Sequence, residues 1–115
     1  MPDAMNRYAG VYAAMPTPLT PDRQVDAAGI ARVVDYLLGA GVDGLSILGS
    51  TGEGPALSSE QRVAALEATV AAADGRGIVF TGASGTIVDQ VIADLRVMDG
   101  RGAAAALVPP PFYYA

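Results

Sequence analysis

Four short apolar runs begin near Val11, Gly44, Ile78 and Ala104, about 30 residues apart, the length of one strand plus its crossover helix in a βαβ unit. Between them lie amphipathic stretches with helical spacing. Ile30, Val33, Val34, Leu37 and Leu38 fall on one face, preceded by Asp26 as an N-cap and stopped by Gly39 and Gly41. Ser58 and Gln61 make a capping box before Val63, Leu66 and Val70. Thr86 is placed to cap a third helix with Ile87, Val88, Val91, Ile92 and Leu95 on one face, ending near Gly100 and Gly102.

The predicted order is therefore βαβαβαβ, with strands over 10–15, 43–48, 78–81 and 103–108. Connections of this length feed parallel strands through right-handed crossovers. Two α/β architectures share the order: an open doubly wound sheet, and a (β/α)₈ TIM barrel of which β1 to β4 are present. The chain reads as a single unit over residues 1–115, with 1–9 as a polar tail.

Both architectures gather ligand groups at the carboxyl ends of strands. That rim carries Pro16-Thr17-Pro18, Gly49-Ser50-Thr51-Gly52-Glu53-Gly54, Ser84, and Tyr113-Tyr114 after three prolines. The glycine hexapeptide follows the apolar run ending at Leu48. Its hydroxyls and backbone N–H groups suit a small carboxylate or phosphate, although an ordinary strand-to-helix loop has the same composition. No Lys follows it, which excludes a Walker phosphate loop, and the spacing is not that of a dinucleotide fingerprint.

Composition removes further classes. The chain has no Cys and no His, so thiolate chemistry, disulfides and zinc–thiolate sites are excluded and no metal or cofactor is expected. A net charge of −5 argues against nucleic acid and anionic membranes. No apolar run reaches membrane-spanning length and the first ten residues lack a leader's apolar core, so a soluble cytoplasmic protein is expected. All seven basic residues are Arg. Glu53 reads as an acceptor for loop N–H groups; Asp22, Asp26, Asp74 and Asp99 read as turn and cap residues; Arg62 and Arg96 read as solvated helix faces.

In its early Pro16-Thr17-Pro18 loop, in Gly49-Ser50-Thr51-Gly52-Glu53 followed by Leu57-Ser58, and in Pro111-Phe112-Tyr113 after an apolar strand, the chain resembles the amino-terminal half of the dihydrodipicolinate synthase and N-acetylneuraminate lyase family. The match runs from Gly10 onward. The resemblance implies the TIM barrel, and a lyase or class I aldolase that binds pyruvate or a related 2-oxo acid as a Schiff base on a barrel Lys and joins it to, or splits it from, an aldehyde.

By position, the resemblance implies that Ser50 and Thr51, with Gly49 and Gly52, hold the 2-oxo acid carboxylate. It implies that Ser50 also passes a proton toward a tyrosine, Tyr113, with Tyr114 as the alternative alignment. Without the resemblance these two read as an aromatic pair packing on apolar surface. The family lends this tyrosine across an interface, which implies a homo-oligomer.

The family's Schiff-base Lys lies on its sixth strand and its central Tyr near the end of its fifth, and neither has a counterpart here. The 115 residues are thus expected to be inactive alone. From another class, the chain reads as a non-catalytic half-barrel module that associates with another chain. Ser50 stands where many dihydrodipicolinate synthases have Thr, whereas Phe112-Tyr113-Tyr114 is closer to the lyase pattern.

Overall fold

The computed structural model describes residues 6–111. It contains β1 (Tyr12–Ala14), α1 (Ala27–Gly39), β2 (Gly44–Ile47), α2 (Ser59–Ala73), β3 (Ile78–Gly82), α3 (Val88–Met98) and β4 (Ala105–Leu107). One 3₁₀ turn, Asn6–Tyr8, precedes β1 and another, Gly54–Ala56, lies between β2 and α2. The strands form one parallel sheet in the order β1-β2-β3-β4.

This order decides between the two architectures. A doubly wound sheet reverses its strand order and covers both faces with helices. Here each strand pairs with the next, and the core lies on one side. Leu45 and Ile47 of β2 and Val79 of β3 join Ile30 and Val34 of α1 and Leu66 of α2 in one buried cluster. Sequential winding with helices on a single face is the arrangement of the first half of a (β/α)₈ barrel.

The other face is the barrel interior. Register places Tyr12, Gly44 and Ile78 at one level and Ala14, Ser46, Phe80 and Ala105 at the next. Tyr12 and Phe80 stack with ring centroids 4.3 Å apart, and a Cβ on Gly44 would meet Tyr12 Cδ1 at 2.8 Å. Tyr8 meets Phe80 edge-on at 5.5 Å. An aromatic plug therefore fills the amino end of the interior, leaving the carboxyl end to the glycine loop.

Helix ends follow local chemistry. Asp26 accepts from Gly29 N at 2.9 Å to start α1. At α2, Ser58 Oγ accepts from Gln61 N and Gln61 Oε1 accepts from Ser58 N, completing the capping box. Asp74 ends α2 in a left-handed conformation at φ 48°, and Asp22 accepts from Thr20 Oγ1 in the turn before α1.

Three expectations need correction. Thr86 does not cap α3: the N-cap position falls on Ile87, without a side-chain cap. The apolar stripe of α3 packs inward only in part: Val91 and Leu95 are half-buried. Ile87, Val88 and Ile92 are 66%, 55% and 40% exposed, whereas Asp94 and Met98 point inward. Ile92 and Leu95 wall an open groove of about 410 Å³ together with Thr81 of β3 and Ala104 and Ala106 at β4. Finally, β1 and β4 are shorter than their apolar runs. Single hydrogen bonds extend the ladder past their ends, from Met15 N to Ser46 O at 2.9 Å and from Ala104 N to Val79 O at 2.8 Å.

Candidate functional site at the carboxyl ends of the strands

The chain leaves β2 through Leu48, which is buried and adopts a left-handed conformation at φ 61°. For a branched side chain this costs on the order of 1 to 3 kcal/mol, and such strain is held only where the surroundings over-determine the backbone. Three glycines supply the constraint. A Cβ on Gly52 would stand 2.9 Å from Leu48 N, one on Gly82 would stand 2.5 Å from Leu48 O, and one on Gly54 would overlap that same carbonyl oxygen. Gly52, Gly54 and Gly82 thus make room for the Leu48 peptide. Gly49 differs: its Cβ position meets nothing within 4 Å.

The loop is closed by Gly54 N donating to Gly49 O at 3.2 Å and Glu53 N donating to Ser50 O at 3.1 Å. From the first loop, Thr17 Oγ1 donates to Gly52 O at 2.7 Å. This ties Pro16-Thr17-Pro18 to the glycine loop across the tips of β1 and β2. Glu53 contributes through its backbone, at φ 54°, and its side chain caps nothing. The expectation that its carboxylate anchors loop N–H groups is corrected accordingly.

Gly49 and Ser50 line a cavity of about 700 Å³ at the carboxyl ends of β2, β3 and β4. Its polar groups are the hydroxyls of Ser46, Ser50 and Ser84, and its apolar walls include Leu48, Pro55, Leu107 and Val108. None of its lining side chains is charged. A carboxylate entering it would be met by hydroxyl and N–H donors alone.

The predicted residues separate in space. Ser50 and Gly49 face the cavity, Thr51 is exposed on the loop beside Ser50, and Gly52 is buried with its carbonyl held by Thr17. Tyr113 and Tyr114 lie outside the described residues. Ser84, foreseen as a rim residue, lines the cavity with Ser50. Ser46 was not foreseen: it sits within an apolar run, and its placement on the interior face of β2 follows only from the register. Among the described residues no three His, Cys, Asp or Glu side chains converge on a metal-sized site, and no helix is long and apolar enough to cross a membrane.

Arg62 departs most from expectation. Instead of a solvated face it occupies the space between α2 and α3, where its Nη2 donates to Asp94 Oδ2 at 2.6 Å and the two side chains are 12% and 9% exposed.

Comparison with known proteins agrees with this geometry. The model of the dihydrodipicolinate synthetase family matches residues 7–115. A 4-hydroxy-tetrahydrodipicolinate synthase from Salinibacter ruber is 35% identical over 106 residues, covering 92% of this chain and 35% of that protein. The enzyme of the same name from Bacillus subtilis is 33% identical, covering 92% of this chain and 37% of that protein. Among solved structures, a prophage protein of the dihydrodipicolinic acid synthase family from E. coli K12, in complex with pyruvate, superposes with a TM-score of 0.87 at 34% identity over 93% of this chain and 36% of its own. N-acetylneuraminate lyase from Mycoplasma synoviae superposes at 0.86 and 28% identity, over 96% of this chain and 39% of its own. The chain spans a little over a third of the length of the relatives it matches.

Proposed function

The chain belongs to the dihydrodipicolinate synthetase family, and from that premise we propose that it is the pyruvate-gripping part of a Schiff-base-forming lyase. The whole protein acts on pyruvate or a related 2-oxo acid together with an aldehyde, as a cytoplasmic homo-oligomer. Ser50 and Thr51 hold the carboxylate with the N–H groups of the loop that Gly49 and Gly52 shape, and Ser50 with Tyr113 moves a proton. The observation that carries this reading is the position of Ser50 at the tip of β2, opening into an uncharged cavity of about 700 Å³.

The chemistry follows from that environment. A carboxylate is acceptor-only, so hydroxyls and backbone N–H groups satisfy it without a fixed cation. A neutral wall also leaves the 2-oxo carbon as the electrophile for an amine, and the resulting iminium draws electrons from the adjacent carbon. This chain supplies the grip and not the amine: its basic side chains are all Arg, which stay protonated.

Borohydride trapping tests the reading. A protein joining this chain to a lysine-bearing second half should acquire a reduced pyruvate adduct on that lysine, and Ser50→Ala should weaken its formation. Absence of the adduct would overturn the proposal. A second reading, a half-barrel that functions by associating with another chain, is favoured by β4, whose Leu107 and the following Val108 are 50% and 51% exposed.

A further inference from the structure

Behind the glycine loop, between α2 and α3, lies a cluster of polar side chains that the proposed chemistry does not use. Asp94 accepts from three donors: Arg62 Nη2 at 2.6 Å, Ser59 Oγ at 2.7 Å and Gln90 Nε2 at 3.2 Å. The other arm of the guanidinium, Arg62 Nη1, donates to Gly54 O at 3.3 Å. Gly54 N in turn donates to Gly49 O, and Gly54 packs against the Leu48 carbonyl without room for a side chain. Ser50 follows Gly49 directly. The cluster also borders a cavity of about 290 Å³ that shares Pro55 and Ser84 with the candidate site.

We propose that Arg62 and Asp94 are positioning residues for Ser50: Asp94 fixes the guanidinium, and the guanidinium fixes Gly54 and, through it, the loop that presents the Ser50 hydroxyl. The inference rests on the reading of Ser50 and Thr51 as carboxylate-binding. Gly52 and Gly54 fit closely on the Leu48 peptide, but Leu48 itself is strained at the root of the loop, so holding that geometry calls for contacts from outside the loop as well. Thr17 supplies one on the side of β1, through Gly52 O. Arg62 supplies the other on the side of α3.

A rigid planar fork can hold a carboxylate on one arm and a carbonyl on the other, which a Lys ammonium on a flexible stem does less well. A buried ion pair is, moreover, a poor source of stability compared with apolar residues of like volume. The geometry points to orientation of the loop as what this pair contributes.

Amide hydrogen exchange and a pyruvate titration, both followed by NMR on the 115-residue chain, test the proposal. The amides to watch are Glu53 and Gly54, bonded to Ser50 O and Gly49 O, against Leu45 to Ile47 as an internal standard. The variants are the apolar pair Arg62→Met with Asp94→Leu, and the single Arg62→Lys. In the apolar pair, exchange at Glu53 and Gly54 should rise at least tenfold with Leu45 to Ile47 unchanged, and the pyruvate needed to shift the Ser50 and Thr51 amides should rise at least tenfold. Arg62→Lys should not restore the slow exchange.

Loop exchange that stays slow in either variant, or that rises equally throughout β2, would overturn the positioning role. Should the apolar pair fail to fold, Arg62→Lys decides by the same measure. If pyruvate leaves Ser50 and Thr51 unmoved in the unaltered chain, the carboxylate reading falls, while the exchange comparison still decides whether Arg62 and Asp94 order the loop.

Discussion

Gly54 lies against the carbonyl of Leu48 so closely that no β-carbon fits between them. The contact is backbone on backbone, so no side-chain rotation can relieve it. Gly54→Ala should therefore cost about 3 kcal/mol, the upper end of the range for overpacking, read as a lowered urea midpoint. Gly49→Ala is the control: with open space around its Cβ position, it should change stability by less than about 0.5 kcal/mol.

Arg62 and Asp94 should show a large asymmetry between single and paired replacement. Arg62→Ala leaves the Asp94 carboxylate buried without its counter-charge, a loss of about 3 to 5 kcal/mol. Replacing both by apolar residues removes the charge problem with the pair, so the double variant should match or exceed the original stability. Equilibrium denaturation of the two variants checks this, and a double variant no more stable than Arg62→Ala would contradict it.

Tyr12 stacks on Phe80, but its buried hydroxyl finds no hydrogen-bond partner among the described residues. Tyr12→Phe keeps the ring and removes the unsatisfied group, so stability should rise by about 1 kcal/mol. Phe80→Leu should cost about 0.5 to 1.5 kcal/mol from the lost ring pairing, beyond any change in buried area. Thermal unfolding of both would show opposite signs.

In a protein that carries the complete site, Thr51→Val should reduce binding or transition-state stabilisation by about 1.5 to 3 kcal/mol, the range for a hydrogen bond to a charged group. Steady-state kinetics with pyruvate provide the measurement. In the 115-residue chain itself, pyruvate and borohydride should leave no adduct on any side chain, because no side-chain amine exists. Only the α-amino group of Met1 can form an imine, and slowly. Peptide mapping by mass spectrometry locates any adduct.

β1 and β4 form the two edges of the sheet among the described residues, and β4 carries no charge to discourage strand addition. The chain should self-associate at micromolar concentration. Ala106→Lys, at an exposed position in β4, should shift sedimentation toward the monomer; a monomer without that substitution would contradict the expectation.

The order of elements was legible because its causes are local. Apolar spacing, the Ser58 and Gln61 capping box and the Asp26 cap each act within a few residues, and so does the glycine hexapeptide that marks the strand tip. All four strands appear where the apolar runs stand, and Ser50 lies on the predicted rim. Tertiary structure decided what those local signals cannot carry. Periodicity recorded that Ile87, Val88 and Ile92 share a stripe of α3, but the residues that pack inward are Asp94 and Met98 at the edge of that stripe, where Asp94 meets Arg62, 32 residues earlier in the chain. The same holds for the glycines: sequence shows that Gly52, Gly54 and Gly82 lack side chains, whereas only the folded backbone shows that the space is taken by the Leu48 peptide. Local patterns follow from the chain's own short-range geometry; the pairing of a buried charge and the filling of a gap depend on atoms that only folding brings together.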